Sequence, residues 1–436
     1  MDIKDLQFET SKDEKDLTTL KASVSKEAYD KELQKQIEYY KPKVNIKGFR
    51  IGHAPNDIVY SRYKDALEGA TNEILIEEVW NTYSEEKNAK SLGTPKLSNM
   101  ENKEDGLYLT YEYYAIPEFD LPDLASITVE KDKYEVDDSS VENAYKLSLK
   151  RFAQYKESDF KSETGDKIFI KIEFDDDKYK KYNKELTVIA KDGENESVFS
   201  KNSVGVKKGD KKLITTYIDE REATLIMEIL KVEKPDTKDD SKEEDKNKVK
   251  ESLKEHLIKR AEERANYNLV NKTLFDKLIG MVNMEIPKGY YEEELKRALD
   301  DFEKSILNNG MSKTEFLISI AKTEEEIKKE YEVNVKKQII FDLIMAKLAD
   351  TYKDSITINE DKAKEYANKM YQYQSYLGLV KRPKEEQQNI INYIMRDAQN
   401  RATSEAILEY VKEHVQINEK DSGKFIPDES DIWAGY

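Results

Sequence analysis

The stretch Lys47-Gly48-Phe49-Arg50-Ile51-Gly52-His53-Ala54-Pro55 decides how the chain is read. Two glycines four residues apart bracket an aromatic ring, a permanent cation and an aliphatic side chain, and a proline closes the run. Upstream, Ala28, Leu33, Ile37 and Tyr40 recur near helical spacing. Downstream a second helix is expected from about Asn56 to Tyr83. The nonapeptide is then a tight loop between two helices. Gly48 and Gly52 supply backbone angles closed to other residues, and Pro55 suits a first helical position, where no N–H is missed. Such a loop turns Phe49 and Arg50 outward, a pairing that fits a surface of phosphates with an apolar crevice. Taken alone, Gly…Gly…Pro between helices reads as a plain turn.

The 436 residues suffice for about three domains. Hydrophobic residues make up 38% and charged residues 37%, against ~45–50% apolar in an ordinary compact protein. That shortfall predicts an elongated molecule of long solvated helices rather than one large core. The net charge of −17 repels nucleic acid as a whole. A phosphate surface would therefore have to be met by a local basic patch, for which Lys41, Lys43, Lys47 and Arg50 are the candidates. The chain has no cysteine, which excludes disulfides and thiol catalysis and is compatible with a reducing cytosol. The N-terminal residues Met1 to Leu6 lack the basic-then-apolar pattern of a signal segment. No run approaches ~18 apolar residues, so neither a membrane partner nor a spanning helix is expected. His53, His256 and His414 lie far apart in polar settings, which predicts no metal site. No Gly-rich phosphate loop is present, and no cofactor is expected.

The segment from Gly48 to Pro55 resembles the Gly-Phe-Arg-x-Gly-Lys-x-Pro signature of trigger factor, the family of bacterial chaperones that meet nascent chains at the ribosome exit tunnel. The helix start from Asn56 to Tyr63 also looks like that family, as do three later segments. Ile51 stands where many members carry a second cation, and His53 where lysine is usual, so docking here is expected to be weaker or more apolar. The resemblance implies a ribosome-binding role for Gly48, Phe49, Arg50, Ile51 and Gly52. It implies the large ribosomal subunit and unfolded or nascent polypeptides as partners, no DNA, and leaves room for a weak homodimer.

The expected fold class is α+β in several domains. Residues 1–116 read as an α+β ribosome-binding domain: strands at Leu6–Phe8 and Leu17–Val24, two helices around the loop, and a returning strand from Gly106 to Ile116 rich in aromatic and β-branched residues. Residues 117–157 read as a connector. Its Val129-Glu130-Lys131 strand leads to a capping box at Ser139 and Glu142, and a helix is expected to follow through Ala144, Leu147, Leu149 and Phe152 to Tyr155. Residues 158–234 read as a small β-rich domain, with strands at Ile168–Phe174, Lys212–Tyr217 and Leu225–Val232. Residues 235–436 open on a charged linker from Pro235 to Lys246 that cannot support a core, and continue as an almost all-helical chaperone domain with arms. Two more capping boxes are expected there, at Ser312 with Glu315 and Thr323 with Glu326, and the tail from Asp421 onward is expected to be loosely held.

The small β domain resembles the FKBP-like prolyl isomerase domain of the family, cut down. Phe174 runs into Asp175-Asp176-Asp177 where the family has a glycine, and the Phe-Pro-Glu-x-Tyr loop before the last strand is missing. An isomerase of this kind uses no nucleophile. It holds a prolyl ring in an apolar pocket and favours the twisted amide, against a barrier of ~18–20 kcal/mol. Phe174 and Phe199 are the residual pocket candidates, and both also read as plain core residues. No catalytic residue is assigned, and weak or absent isomerase activity is expected. A working isomerase, a chaperone acting free of the ribosome and a passive helical scaffold remain the alternatives. In the helical domain Tyr366, Met370, Tyr373 and Leu377 recur three or four apart, suited to promiscuous client binding. The same spacing reads as a core stripe against a neighbouring helix.

Overall fold

The computed structural model describes residues 6–151, 153–194, 196–237 and 243–433. Phe152, the centre of the charged linker at 238–242 and the last three residues lie outside the described residues. The chain separates into two compact units, residues 1–119 with 284–296, and residues 120–283 with 297–436. Mixed helix and sheet make it an α+β protein.

In the first unit β1 (Leu6–Lys12), β2 (Leu17–Ser25), β3 (Ser91–Lys103) and β4 (Gly106–Ala115) form an antiparallel sheet in the order β1-β2-β4-β3. Helices α1 (Lys26–Tyr40) and α2 (Asn56–Lys87) pack on it. Alternation along β4 buries Leu107, Leu109, Tyr111 and Tyr113 in one core with Leu20, Leu33, Ile37, Leu67, Leu75 and Val79. The register sets Leu20 opposite Tyr111 and Ala22 opposite Leu109. Gly106 turns the β3–β4 hairpin at φ +154, where a Cβ would stand 2.1 Å from the carbonyl oxygen of Val24. The sequence reading missed β3 because it lacks an alternating signal. It is an edge strand, mostly exposed, with Gly93 at φ +71 and Pro95 inside it and two register shifts. Tyr114 is buried outside the alternation, its ring against Tyr290 at 5.8 Å and its hydroxyl donating to Glu293 at 3.0 Å. Lys15 pairs with Glu292 at 2.6 Å on the same segment. The residues 284–296, which read as part of the helical domain, thus belong with the N-terminal sheet.

The second unit starts with β5 (Thr128–Glu135) and α3 (Asp138–Arg151), a helix that stops short of the expected Tyr155 because Tyr155 pairs with Pro235 in a strand. The cap of α3 is Asp137, not Ser139: its carboxylate accepts from the Ser140 N–H at 2.9 Å and the Ser139 hydroxyl at 2.6 Å. Strands β6 (Tyr155–Glu157), β7 (Lys167–Phe174) and β8 (Lys184–Ile189), the short helix α4 (Val198–Asn202), and strands β9 (Lys211–Ile218) and β10 (Arg221–Pro235) form the small sheet. Its order is β6-β10-β7-β8, with β9 also on β10. β7 alternates cleanly, burying Ile168, Ile170, Ile172 and Phe174.

Helices α5 (Glu243–Asn268), α6 (Phe275–Met281), α7 (Lys288–Asn308), α8 (Lys313–Ile320), α9 (Glu324–Thr351), α10 (Glu360–Tyr376) and α11 (Lys384–His414) follow. Both capping boxes form as expected, Ser312 with Glu315 and Thr323 with Glu326. The chain then returns as β11 (Gln416–Lys424), parallel to β5, and ends in α12 (Glu429–Trp433). The tail is therefore held, against expectation. Phe425 and Ile432 are buried in one cluster with Val141, Ala144, Leu257 and Ala261, and Asp431 is ion-paired with Arg264 and Arg260.

Candidate functional site

The loop between α1 and α2 is two hydrogen-bonded turns in succession. The Phe49 N–H donates to the Ile46 carbonyl at 3.1 Å, and the His53 N–H donates to the Arg50 carbonyl at 2.9 Å. Each turn has glycine at its third position, Gly48 at φ +98 and Gly52 at φ +81, which is why the glycines recur four apart. Ile46 and Ala54 on either side are buried in the core. The tip is pinned at both ends while Phe49 and Ile51 stand in solvent, 41% and 58% exposed. Pro55 is the cap residue of α2 rather than its first helical residue, and its carbonyl accepts from Ile58 and Val59.

The four cations of the basic patch are not equally free. Lys41 donates to Asn56 at 2.9 Å, and Asn56 donates to Glu38 at 2.7 Å, so Lys41 braces the base of the loop. Lys43 lies over the exposed ring of Tyr39, 3.2 Å from its centroid, and lowers the Tyr39 hydroxyl pKa by hydrogen bonding first and by its charge second. Lys47 and Arg50 have no ion-pair partner among the described residues. Ile58, one turn into α2, is 37% exposed and extends the apolar surface. Its sequence neighbours gave no sign of this, since it sits in a helical pattern. Further along α2 the backbone departs from helix at Tyr63, and the Tyr60 hydroxyl bridges the kink to Glu68 at 2.5 Å. That carboxylate and partial burial push Tyr60 up to about 12, so it stays a donor.

The Tyr/Met stripe of α10 divides in two. Tyr366 and Met370 pack against the α10–α11 core of Ala367, Ile394 and Ala398, and the Tyr366 hydroxyl donates to Glu405 at 2.8 Å. Tyr373 and Leu377 are 62% and 51% exposed. Around them the tip also exposes Tyr371, Tyr376 and Val380, with Gly378 turning the chain at φ +91. Periodicity found the helix face but not the tip, because the exposure there comes from the hairpin running out of partners.

In the small sheet Phe174 and Phe199 are 2% and 4% exposed, in a cluster with Tyr179, Ile218 and Ile318. β9 and β10 meet in a two-residue turn, Asp219-Glu220, with φ +48 and +61. Among the described residues no group of three or more His, Asp or Glu side chains is placed to hold a metal ion. No described helix is long and apolar enough to cross a membrane.

The family model of the bacterial trigger factor protein matches residues 6–147, and that of the trigger factor C-terminus matches residues 245–413. The small sheet lies between the two matched ranges. Trigger factor of Onion yellows phytoplasma is 25% identical over 415 residues, covering 88% of this chain and 96% of the relative. That of Borrelia hermsii is 24% identical over 422 residues, covering 89% and 92%. A solved structure described as promiscuous substrate recognition by the trigger factor chaperone aligns with 92% of this chain and 99% of its own, at 19% identity and a TM-score of 0.34.

The two family models, over residues 6–147 and 245–413, and curated trigger factors that align with 88–89% of the chain make this α+β protein a molecular chaperone that assists protein folding. The chain belongs to the trigger factor family, whose members associate with the ribosome.

Proposed function

We propose that this chaperone docks on the large ribosomal subunit at the exit tunnel through Gly48, Phe49, Arg50, Ile51 and Gly52, and receives nascent polypeptides in the cytoplasm. The observation that carries this reading is the loop tip: two glycine turns anchored by Ile46 and Ala54 hold Phe49, Arg50 and Ile51 in solvent. A rigid tip loses little freedom on binding, and one ring beside one unpaired guanidinium supplies both an anchor and a phosphate contact. Clients bind the α10–α11 tip through Tyr373 and Leu377, with Tyr366 and Met370 shaping its base. Each contact is weak, and affinity comes from several engaged together. The buried Phe174 and Phe199 and the two-residue closure at Asp219-Glu220 support the reading that prolyl isomerisation is weak or absent.

Co-sedimentation with bacterial 70S ribosomes tests the dock. Phe49→Ala/Arg50→Ala is expected to weaken binding by about tenfold or more, while aggregation suppression by the free protein stays unchanged. Binding that survives the double change places the dock elsewhere. Absence of binding by the intact protein, with aggregation suppression retained, makes it a chaperone that acts free of the ribosome.

A further inference from the structure

Helix α8 faces the small sheet domain with two residues one turn apart, Glu315 and Ile318. Ile318 is 2% exposed and belongs to the sheet domain's own buried cluster, the one that holds Phe174 and Phe199. The Thr216 hydroxyl, fully buried on β9, donates to the Ile318 carbonyl at 2.9 Å. Lys184 on β8 pairs with Glu315 at 2.6 Å, and the Glu324 N–H just beyond α8 donates to the Glu220 carboxylate at 2.7 Å. The seat is thus an apolar hole, one buried donor and one cation. A cavity of about 80 Å³ remains at its edge, lined in part by Ile218, Glu220, Thr314 and Leu317.

The occupant is built as a separable piece. It is eight residues long, carries its own capping box, and is bounded by left-handed residues at both ends, Gly310 at φ +74 and Ala321 at φ +52. Phe316, on another face, stays with the helical domain, its ring 5.5 Å from Phe302. One seam of α8 therefore serves the sheet domain and another the helices.

We propose that the small sheet domain is a peptide-binding site for a short helical segment with a β-branched apolar residue one turn after a carboxylate, and that α8 is its resident ligand. The site is closed in cis. It opens when α8 swings about Gly310 and Ala321, and a segment of the same chemistry then takes the seat. Half-exposed Lys184 gives the seat its preference for a carboxylate, while buried Thr216 needs a backbone carbonyl left free at the end of the helix, and a segment that withholds it leaves the hydroxyl unpaired.

The test uses a fluorescent peptide of residues 311–322 added to the full-length protein. With α8 in place the peptide is expected to bind poorly. In the Ile318→Asp protein the emptied seat is expected to bind it at least tenfold more tightly, and adding Thr216→Val is expected to abolish that gain. Equal binding to the intact and Ile318→Asp proteins overturns the proposal. Should Ile318→Asp unfold the sheet domain, Ile318→Cys decides, since it introduces the only thiol in a chain without cysteine. Excess unlabelled peptide is expected to raise the rate of thiol labelling severalfold by holding α8 out of its seat. A labelling rate indifferent to saturating peptide overturns the proposal.

Discussion

Tyr83 and Tyr113 share a hydrogen bond of 2.8 Å between their hydroxyls inside the N-terminal core, with Trp80 against the Tyr113 ring. Burial and the Tyr83 hydroxyl push the Tyr113 hydroxyl far up, so it stays protonated. Removing one hydroxyl leaves the other without a partner. Tyr83→Phe or Tyr113→Phe alone is expected to cost about 1–2 kcal/mol, and the double change less than the sum; urea denaturation of the four proteins measures this. Gly106→Ala forces a Cβ into the carbonyl of Val24, which is backbone and cannot swing away. A loss of about 2 kcal/mol or more is expected, seen as a lowered melting temperature. These residues differ in how far the sequence announces them. The Tyr-rich run of β4 predicts a buried strand, but which hydroxyls meet is set by helix α2, thirty residues away.

Among the elements, the β9–β10 hairpin shows local sequence and backbone in disagreement. Asp219 and Glu220 both take left-handed angles, as a type I′ turn requires, though neither is glycine or asparagine. Asp219→Gly is expected to raise stability by up to about 1 kcal/mol, readable by thermal melting. Helix α8 has a pH response. Lys184 beside Glu315, with the Ser312 hydroxyl and N–H, lowers the carboxyl from 4.5 to about 2. Because the folded value is depressed, the contribution is complete above pH 4.5 and is lost as pH falls through about 2. The urea midpoint is expected to drop more steeply between pH 5 and pH 2.5 in the intact protein than in Glu315→Gln. Parallel curves would remove the role given to this carboxylate. The two capping boxes were legible as Ser-x-x-Glu and Thr-x-x-Glu because capping is local. At α3 the same rule misplaced the cap, since Asp137 is a stronger acceptor and is further fixed by Lys424 from the far end of the chain.

For the whole molecule, the return of the C-terminal segment to the connector matters most. Asp431 is 1% exposed and ion-paired with Arg264, and Arg264 lies over the Phe425 ring at 4.4 Å. Asp431→Ala is expected to cost about 2 kcal/mol, less than a fully buried pair because Arg264 keeps some water. Ending the chain after His414 is expected to cost more, since it uncovers Val141, Ala144, Leu257 and Ala261. Chemical denaturation of both variants, followed by circular dichroism, gives the comparison.

The sequence by itself determined the family, the paired helices around Gly48–Pro55, the main strands of both sheets and most helix starts. Those features rest on side-chain periodicity, glycine angles and caps, which act over a few residues. Only the tertiary structure decided that Ile46 and Ala54 pin the loop, that Tyr366 and Met370 pack while Tyr373 and Leu377 stay in solvent, that residues 284–296 join the N-terminal sheet, and that Ile318 fills the small domain. Each depends on which surfaces meet across long separations in the chain. An apolar residue carries the same local pattern whether a partner covers it or water does.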